Sequence, residues 1–171
     1  MQLRFDDIPD DGLRIEIDGP AWLPTDEFSH SGPVSARVFL ERRGKRVFLT
    51  GAISVVVVLE CDRCVESFML PQHLEFSIDL ELVDKGFLNR AKGEYACKSD
   101  EMEVIYLDEP LIDIHDILAQ QLLLALPVKR LCTAECRGLC SRCGINRNLQ
   151  QCRCSEDKRS SPFAVLKKLK S

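Results

Sequence analysis

The sequence predicts an α+β chain: an antiparallel β-sheet or partly open β-barrel with one packed helix, then a C-terminal Cys-rich zinc module and a short terminal helix. Three observations predict it. Residues 34–82 contain long runs in which apolar side chains return at every second position, the period of a strand. Residues 111–126 carry apolar side chains at helical spacing. Six of the nine cysteines fall between Cys132 and Cys154. The predicted organisation is an N-terminal arm or edge strand over 1–33, a β-rich core over 34–127, and a basic Cys-rich module with a C-terminal helix over 128–171.

The N-terminal arm is rich in Asp, Gly and Pro. Within it Leu13 to Ile17 alternates and reads as a short strand, and Gly19-Pro20 and Pro24 break regularity. From Val34 to Leu40 apolar and polar residues alternate. Arg43-Gly44-Lys45 is a turn, and Val47 resumes. Ile53 to Leu59 is so continuously β-branched that burial on both faces is expected. It runs into Cys61-Asp62-Arg63-Cys64, and a strand returns from Phe68 to Leu82, so the two sulfurs sit on a hairpin tip. Val83 to Glu101 is polar and reads as a loop; Cys97 within it is assigned no role. Glu103 to Leu107 reads as a short strand. Leu111 to Leu126 reads as a helix with Asp113 as N-cap, ended by Pro127. Asp113, His115 and Asp116 fit that helix start better than a metal or acid–base set. Ser161-Pro162 opens the terminal helix, with Phe163, Leu166 and Leu169 on one side.

The cysteines carry the chemistry. Cys132 to Cys154 follow the spacing C-x3-C-x3-C-x2-C-x8-C-x-C. Tetrahedral Zn²⁺ needs four such ligands on one small volume. Cys140-x2-Cys143-Gly144 looks like a zinc knuckle, and Cys152-x-Cys154 supplies a second pair, making one zinc site. A disulfide cluster or free thiols are the alternatives. Cys61-x2-Cys64 has three readings. It is a redox dithiol, a tight turn whose cysteines merely pack, or half of a second zinc site closed by Cys132 and Cys136. The count suits the last, because eight clustered cysteines make two four-sulfur sites and leave only Cys97. One zinc is expected, and a second if those four converge.

The formal net charge of −4 hides an asymmetry. Residues 127–171 hold eleven Lys or Arg against three Asp or Glu, a net of +8; residues 1–126 hold twelve against twenty-four, a net of −12. An acidic body with a basic tail suggests that the tail meets an anion, and RNA is the natural one. Arg137, Arg142, Arg147, Arg153, Lys158 and Arg159 are the candidate phosphate contacts. The bland alternative is that these cations offset the −2 left when four thiolates bind Zn²⁺. No HExxH, GxSxG or glycine-rich phosphate loop is present, and the three histidines lie in unrelated segments. An enzyme and a small-molecule substrate are therefore not expected. No secretory signal and no apolar run of membrane-span length are read, so a cytoplasmic protein with reduced thiols is expected, away from the membrane.

Three motifs together resemble a known family. They are the CxRC at Cys61 to Cys64, the helix end Leu124-Ala125-Leu126-Pro127, and LCxxxCxGLCxxCGxxxNxxxCxC from Leu131 to Cys154. With Ser161-Pro162-Phe163-Ala164-Val165-Leu166 they resemble the bacterial YceD family over roughly residues 34 to 169. The resemblance implies a role in accumulation of large-subunit (23S) ribosomal RNA. The partner would be ribosomal RNA or a pre-50S particle. An adaptor docking on a large-subunit ribosomal protein is the rival reading, and a thiol oxidoreductase is a distant third. Some relatives keep CxRC without most of the later cysteines, which implies that zinc stabilises the fold rather than carrying the function.

Overall fold

The structure is a computed structural model, and it describes residues 1–24, 27–83 and 104–154. The described residues form seven strands and one α-helix: β1 (Gln2–Arg4), β2 (Leu13–Asp18), β3 (Ser29–Arg43), β4 (Arg46–Glu60), β5 (Ser67–Leu82), β6 (Val104–Leu107), β7 (Leu111–Asp113) and α1 (Ile114–Ala125). Five of the strands make one sheet in the order β2-β3-β4-β5-β6, and β1 pairs with β7. Pairing in the sheet is antiparallel except at its last pair, β5 and β6, which run parallel. Among the described residues the sheet is open, with β2 and β6 at its edges, and no barrel closes.

The three central strands are long. β3 and β4 have 15 residues each and β5 has 16, so β4 reaches about 50 Å from end to end. One end is the two-residue Gly44–Lys45 turn, across which Arg43 pairs with Arg46. The other end is the Cys61–Glu66 connection to β5. The metal-ligand candidates on that connection therefore lie at the far end of the sheet from the Gly44 turn.

β3 begins at Ser29, earlier than Val34, and its pairing with β4 slips between Ser31 and Ser35. Pro33 lies in that slip; it has no N–H to give, so the ladder breaks and resumes on either side. Pro71 is tolerated inside β5 because β6 pairs only with Asp79 to Leu82, which leaves Pro71 on an edge among the described residues.

Ile53 to Leu59 is not buried on both faces. Ile53, Val55, Val57 and Leu59 are buried, whereas Val56 and Val58 are half-buried. Among the described residues the sheet is covered on one face only, and even this β-branched run alternates. The covered face of β2 to β6 packs with Phe5, Ile8, Trp22 and Leu23 of the N-terminal segment and with Ile114, Leu118 and Leu122 of α1 in one core.

The helix starts at Ile114, because β1 draws Leu111–Asp113 into a strand. Asp113 caps it as expected: its carboxylate accepts the His115 N–H at 3.1 Å and the Asp116 N–H at 3.3 Å. Burial works against the ionised carboxylate, but the Asp116 N–H and the Met1 ammonium outweigh it and hold the carboxyl below its ordinary 3.8. Asp113→Ala should therefore lower stability by about 1 kcal/mol near neutral pH. A depressed carboxyl stabilises the fold above its unfolded value and ceases to as pH falls through the folded one. Urea unfolding should thus show the gap between wild type and variant closing as the solution is acidified through the carboxyl's folded value; a gap of the same size at neutral and acid pH would refute the ionised cap.

Candidate metal centre

The β4–β5 connection folds into a tight turn around its own backbone. The Cys61 N–H donates to the Glu66 carbonyl at 3.0 Å, and the Val65 N–H donates to the Cys61 carbonyl at 2.9 Å. This aims Cys61 and Cys64 inward, where both are buried. The chain leaving α1 is tied to the same turn from both sides. The Asp62 N–H donates to the Arg130 carbonyl at 2.8 Å, and the Arg130 N–H donates to an Asp62 carboxylate oxygen at 2.7 Å. Cys132 and Cys136 follow at once. The Sγ separations are 3.8 Å for Cys61–Cys136 and 3.7 Å for Cys64–Cys132. Four sulfurs about 2.3 Å from a tetrahedral Zn²⁺ would lie about 3.8 Å apart.

A second set lies downstream. Cys140, Cys143, Cys152 and Cys154 bring their sulfurs within 4.8 Å of one another, as the first four do. The separations are 3.3 Å for Cys152–Cys140 and 3.7 Å for Cys143–Cys152. These two sets are the two groupings the spacing suggested. Among the described residues no sulfur pair approaches bonding distance, and the eight cysteines are free thiols. Cys97 lies outside the described residues.

The two sets differ in burial. Cys61, Cys64 and Cys136 are buried, whereas Cys143 is exposed and the other three of the second set are half-buried. Within each set the sulfurs are in electrostatic conflict. Burial opposes ionisation of Cys61, but N–H groups of Cys132, Arg63 and Cys64 bring its thiol down to about 6. Burial also opposes Cys136, yet the Asn148 amide and the Gly138 N–H lower it. The Glu66 N–H favours a Cys64 thiolate, but burial and the three neighbouring sulfurs push that thiol up to about 12. In the second set the N–H groups of Cys143 and Arg142 bring Cys140 to about 6, while the Cys152 and Cys143 sulfurs push Cys154 up to about 12. Four like charges cannot share so small a volume. A divalent cation removes the conflict, because a coordinating thiol is deprotonated outright. All-sulfur sets of four, with no open position, suit a structural zinc and not a catalytic one.

A second layer of contacts joins the sets. The Arg63 guanidinium donates to the Cys136 carbonyl at 2.8 Å and to the Ala134 carbonyl at 3.5 Å. The Arg63 carbonyl accepts the Leu139 N–H at 2.9 Å. Asn148 Nδ2 lies 3.2 Å from Cys136 Sγ, and the Asn148 Oδ1 accepts the Arg137 N–H at 2.7 Å. Gly138 passes so close to the first turn, at φ 68°, that a Cβ there would lie 2.7 Å from the Arg63 carbonyl oxygen. Asp62, Arg63, Gly138 and Asn148 carry this layer. Their signal in the sequence is faint, since these partners lie 11 to 76 positions away.

A family model described as large ribosomal RNA subunit accumulation protein YceD matches residues 49–170, a span that contains both cysteine sets. The chain belongs to the YceD family. The family's name refers to accumulation of the large ribosomal RNA subunit. One relative is the large ribosomal RNA subunit accumulation protein YCED homolog 1, chloroplastic, of Arabidopsis thaliana. It is 25% identical over 177 residues, covering 93% of this chain and 53% of that protein. The maize protein of the same name is 28% identical over 142 residues, covering 71% and 48%. The chain thus spans about half the length of these curated relatives. No solved structure matches it. Among the described residues no helix is long and apolar enough to cross a membrane.

Of the candidate phosphate contacts, Arg137, Arg142, Arg147 and Arg153 are exposed. Lys158, Arg159 and the terminal helix expected from Ser161 lie outside the described residues.

The two cysteine turns of this YceD chain share one hydrogen-bond pattern. Cys140 N–H donates to the Ile145 carbonyl and Gly144 N–H to the Cys140 carbonyl, matching Cys61–Glu66 and Val65–Cys61. The fifth position of each turn is left-handed, at φ 71° for Gly144 and 61° for Val65. Glycine adopts that conformation freely, whereas a β-branched residue is strained there. Val65 is 60% exposed, so its side chain regains little by burial. Val65→Gly should raise stability by up to about 1 kcal/mol, and Gly144→Val should lower it by at least as much. Chemical denaturation of both variants checks this; loss of stability in Val65→Gly would mean that the isopropyl group packs against something essential.

Proposed function

We propose that this chain is a non-enzymatic factor in large ribosomal subunit biogenesis, supporting accumulation of large-subunit (23S) ribosomal RNA in the cytoplasm. In this reading it binds ribosomal RNA or a pre-50S particle through its basic module, on a scaffold that two zinc ions hold rigid. The observation that carries it is the state of the module's arginines. Arg137, Arg147 and Arg153 are exposed and form no ion pair among the described residues. By contrast Arg42, Arg43 and Arg46 of the sheet are each paired with a carboxylate. Unpaired cations on a net +8 segment suit a phosphate backbone. A protein-interaction adaptor is the second reading, favoured by the exposed Leu124 and Val128 where α1 gives way to the module.

Protein purified without added metal should contain two zinc ions by elemental analysis, falling to one in Cys61→Ser and one in Cys140→Ser. One zinc, lost only with Cys140→Ser, would return Cys61 and Cys64 to a packing role. Reversing Arg137, Arg147 and Arg153 to Glu should weaken RNA binding at least tenfold. It should also flatten the salt dependence by about 0.7 to 0.9 in log–log slope per lost contact. Unchanged affinity in a variant that keeps both zincs would overturn the RNA reading and leave the adaptor.

A further inference from the structure

We infer, resting on the reading that the basic module binds RNA, that the RNA it takes is base-paired and held through its phosphates. Proteins that hold single strands combine positive charge with aromatic side chains on which unpaired bases stack. Residues 127–154 contain no Phe, Tyr, Trp or His, and Phe163 is the single aromatic residue in the rest of the basic module. The half-buried rings on the uncovered face of the sheet are no substitute. Phe39 and Phe48 already carry this chain's own arginines, Arg14 at 5.6 Å and Arg43 at 5.2 Å from the ring centres. That face is also of mixed charge, with Glu16 and Glu75 beside Arg14 and Arg37 and with Glu41 paired to Arg43, so it lacks the module's positive excess.

What the module offers instead is charge at fixed positions. Arg137 and Arg147 flank a short antiparallel bridge between Leu139 and Asn146. The Arg137 N–H is held by the Asn148 side chain at 2.7 Å, and the Arg147 N–H by the Gly138 carbonyl at 2.9 Å. Gly138 in turn sits against the first cysteine turn. The backbone is fixed in this way at both arginines, so their exposed side chains start from set points and meet a regular array of phosphates without ordering it. A double-helical RNA presents such an array, and it is read through shape, phosphate and 2′-hydroxyl contacts rather than through its bases. A flexible single strand would have to be ordered on the module with at most one ring, that of Phe163, to stack on.

The test uses the full zinc-loaded chain and fluorescence anisotropy. One probe is an RNA hairpin with a stem of about 16 base pairs, a length comparable to known duplex-binding footprints. The other is an unstructured uridine-rich strand with the same number of phosphates. The hairpin should bind at least tenfold tighter. Reversal of Arg137 and Arg147 to Glu should remove most of that difference while two zincs are retained. Equal or tighter binding of the single strand would overturn this inference and leave the RNA reading standing. Binding to neither RNA, by protein shown to hold two zincs, would overturn both.

Discussion

The constraint on which the module depends is the convergence of Cys61 and Cys64 with Cys132 and Cys136. These sulfurs come from stretches 68 to 75 positions apart, and they meet only because the β4–β5 hairpin and the chain leaving α1 end at the same place. A covalent cross-link over a loop of that size would stabilise the fold by about 4 kcal/mol through the unfolded state. A metal shared by the four would act in the same sense, with the further effect of relieving repulsion among crowded thiolates. Without a cation the same four groups oppose one another, because N–H groups draw two thiols towards ionisation while burial and neighbouring sulfur hold another protonated.

Much of the architecture was legible because it is local. The period-two runs placed the long strands, the Asp113 cap and Pro127 bounded the helix, and cysteine spacing defined the downstream set. What was not legible depends on pairing over distance. Nothing in Leu111-Ile112-Asp113 says that it will be a strand; β1, more than a hundred positions earlier, makes it one. The parallel placement of β6 beside β5 likewise has no local signal. Nor does the β-branched run of β4 say how many faces are covered, since Val suits a half-exposed strand as well as a buried one. At the site, the upstream cysteine pair was ambiguous in sequence for the same reason. Its partners are set by the helix and its exit, and Arg63 and Asn148 acquire their contacts only when those segments meet.

Val65 shows how a local rule can be overridden without leaving a trace in the motif. The downstream turn has the expected glycine after its second cysteine, and the upstream turn has the same hydrogen bonds without it. A glycine-based search would recognise one knuckle and miss the other. The backbone adopts the left-handed conformation at Val65 regardless, because the flanking bonds to Cys61 and Glu66 and the β4–β5 ladder over-determine it.

Position also answers an electrostatic objection to an RNA-facing role. Residues 1–126 carry a net −12, which taken as a whole would repel RNA. Charges in salt solution act over about 8 to 10 Å, however, and strands of about 50 Å separate the two ends of the sheet. Acidic groups near the Gly44 turn are thereby screened from the module, and of the acidic groups at its own end Asp62 and Glu66 already accept hydrogen bonds from Arg130 and Asn146. Were the module untethered, it could fold back along the acidic body and neutralise its arginines within the chain. Fixing it at the hairpin tip keeps Arg137, Arg147 and Arg153 without an ion pair among the described residues, so on the RNA reading the cysteine cluster upstream would bear on binding without touching the ligand.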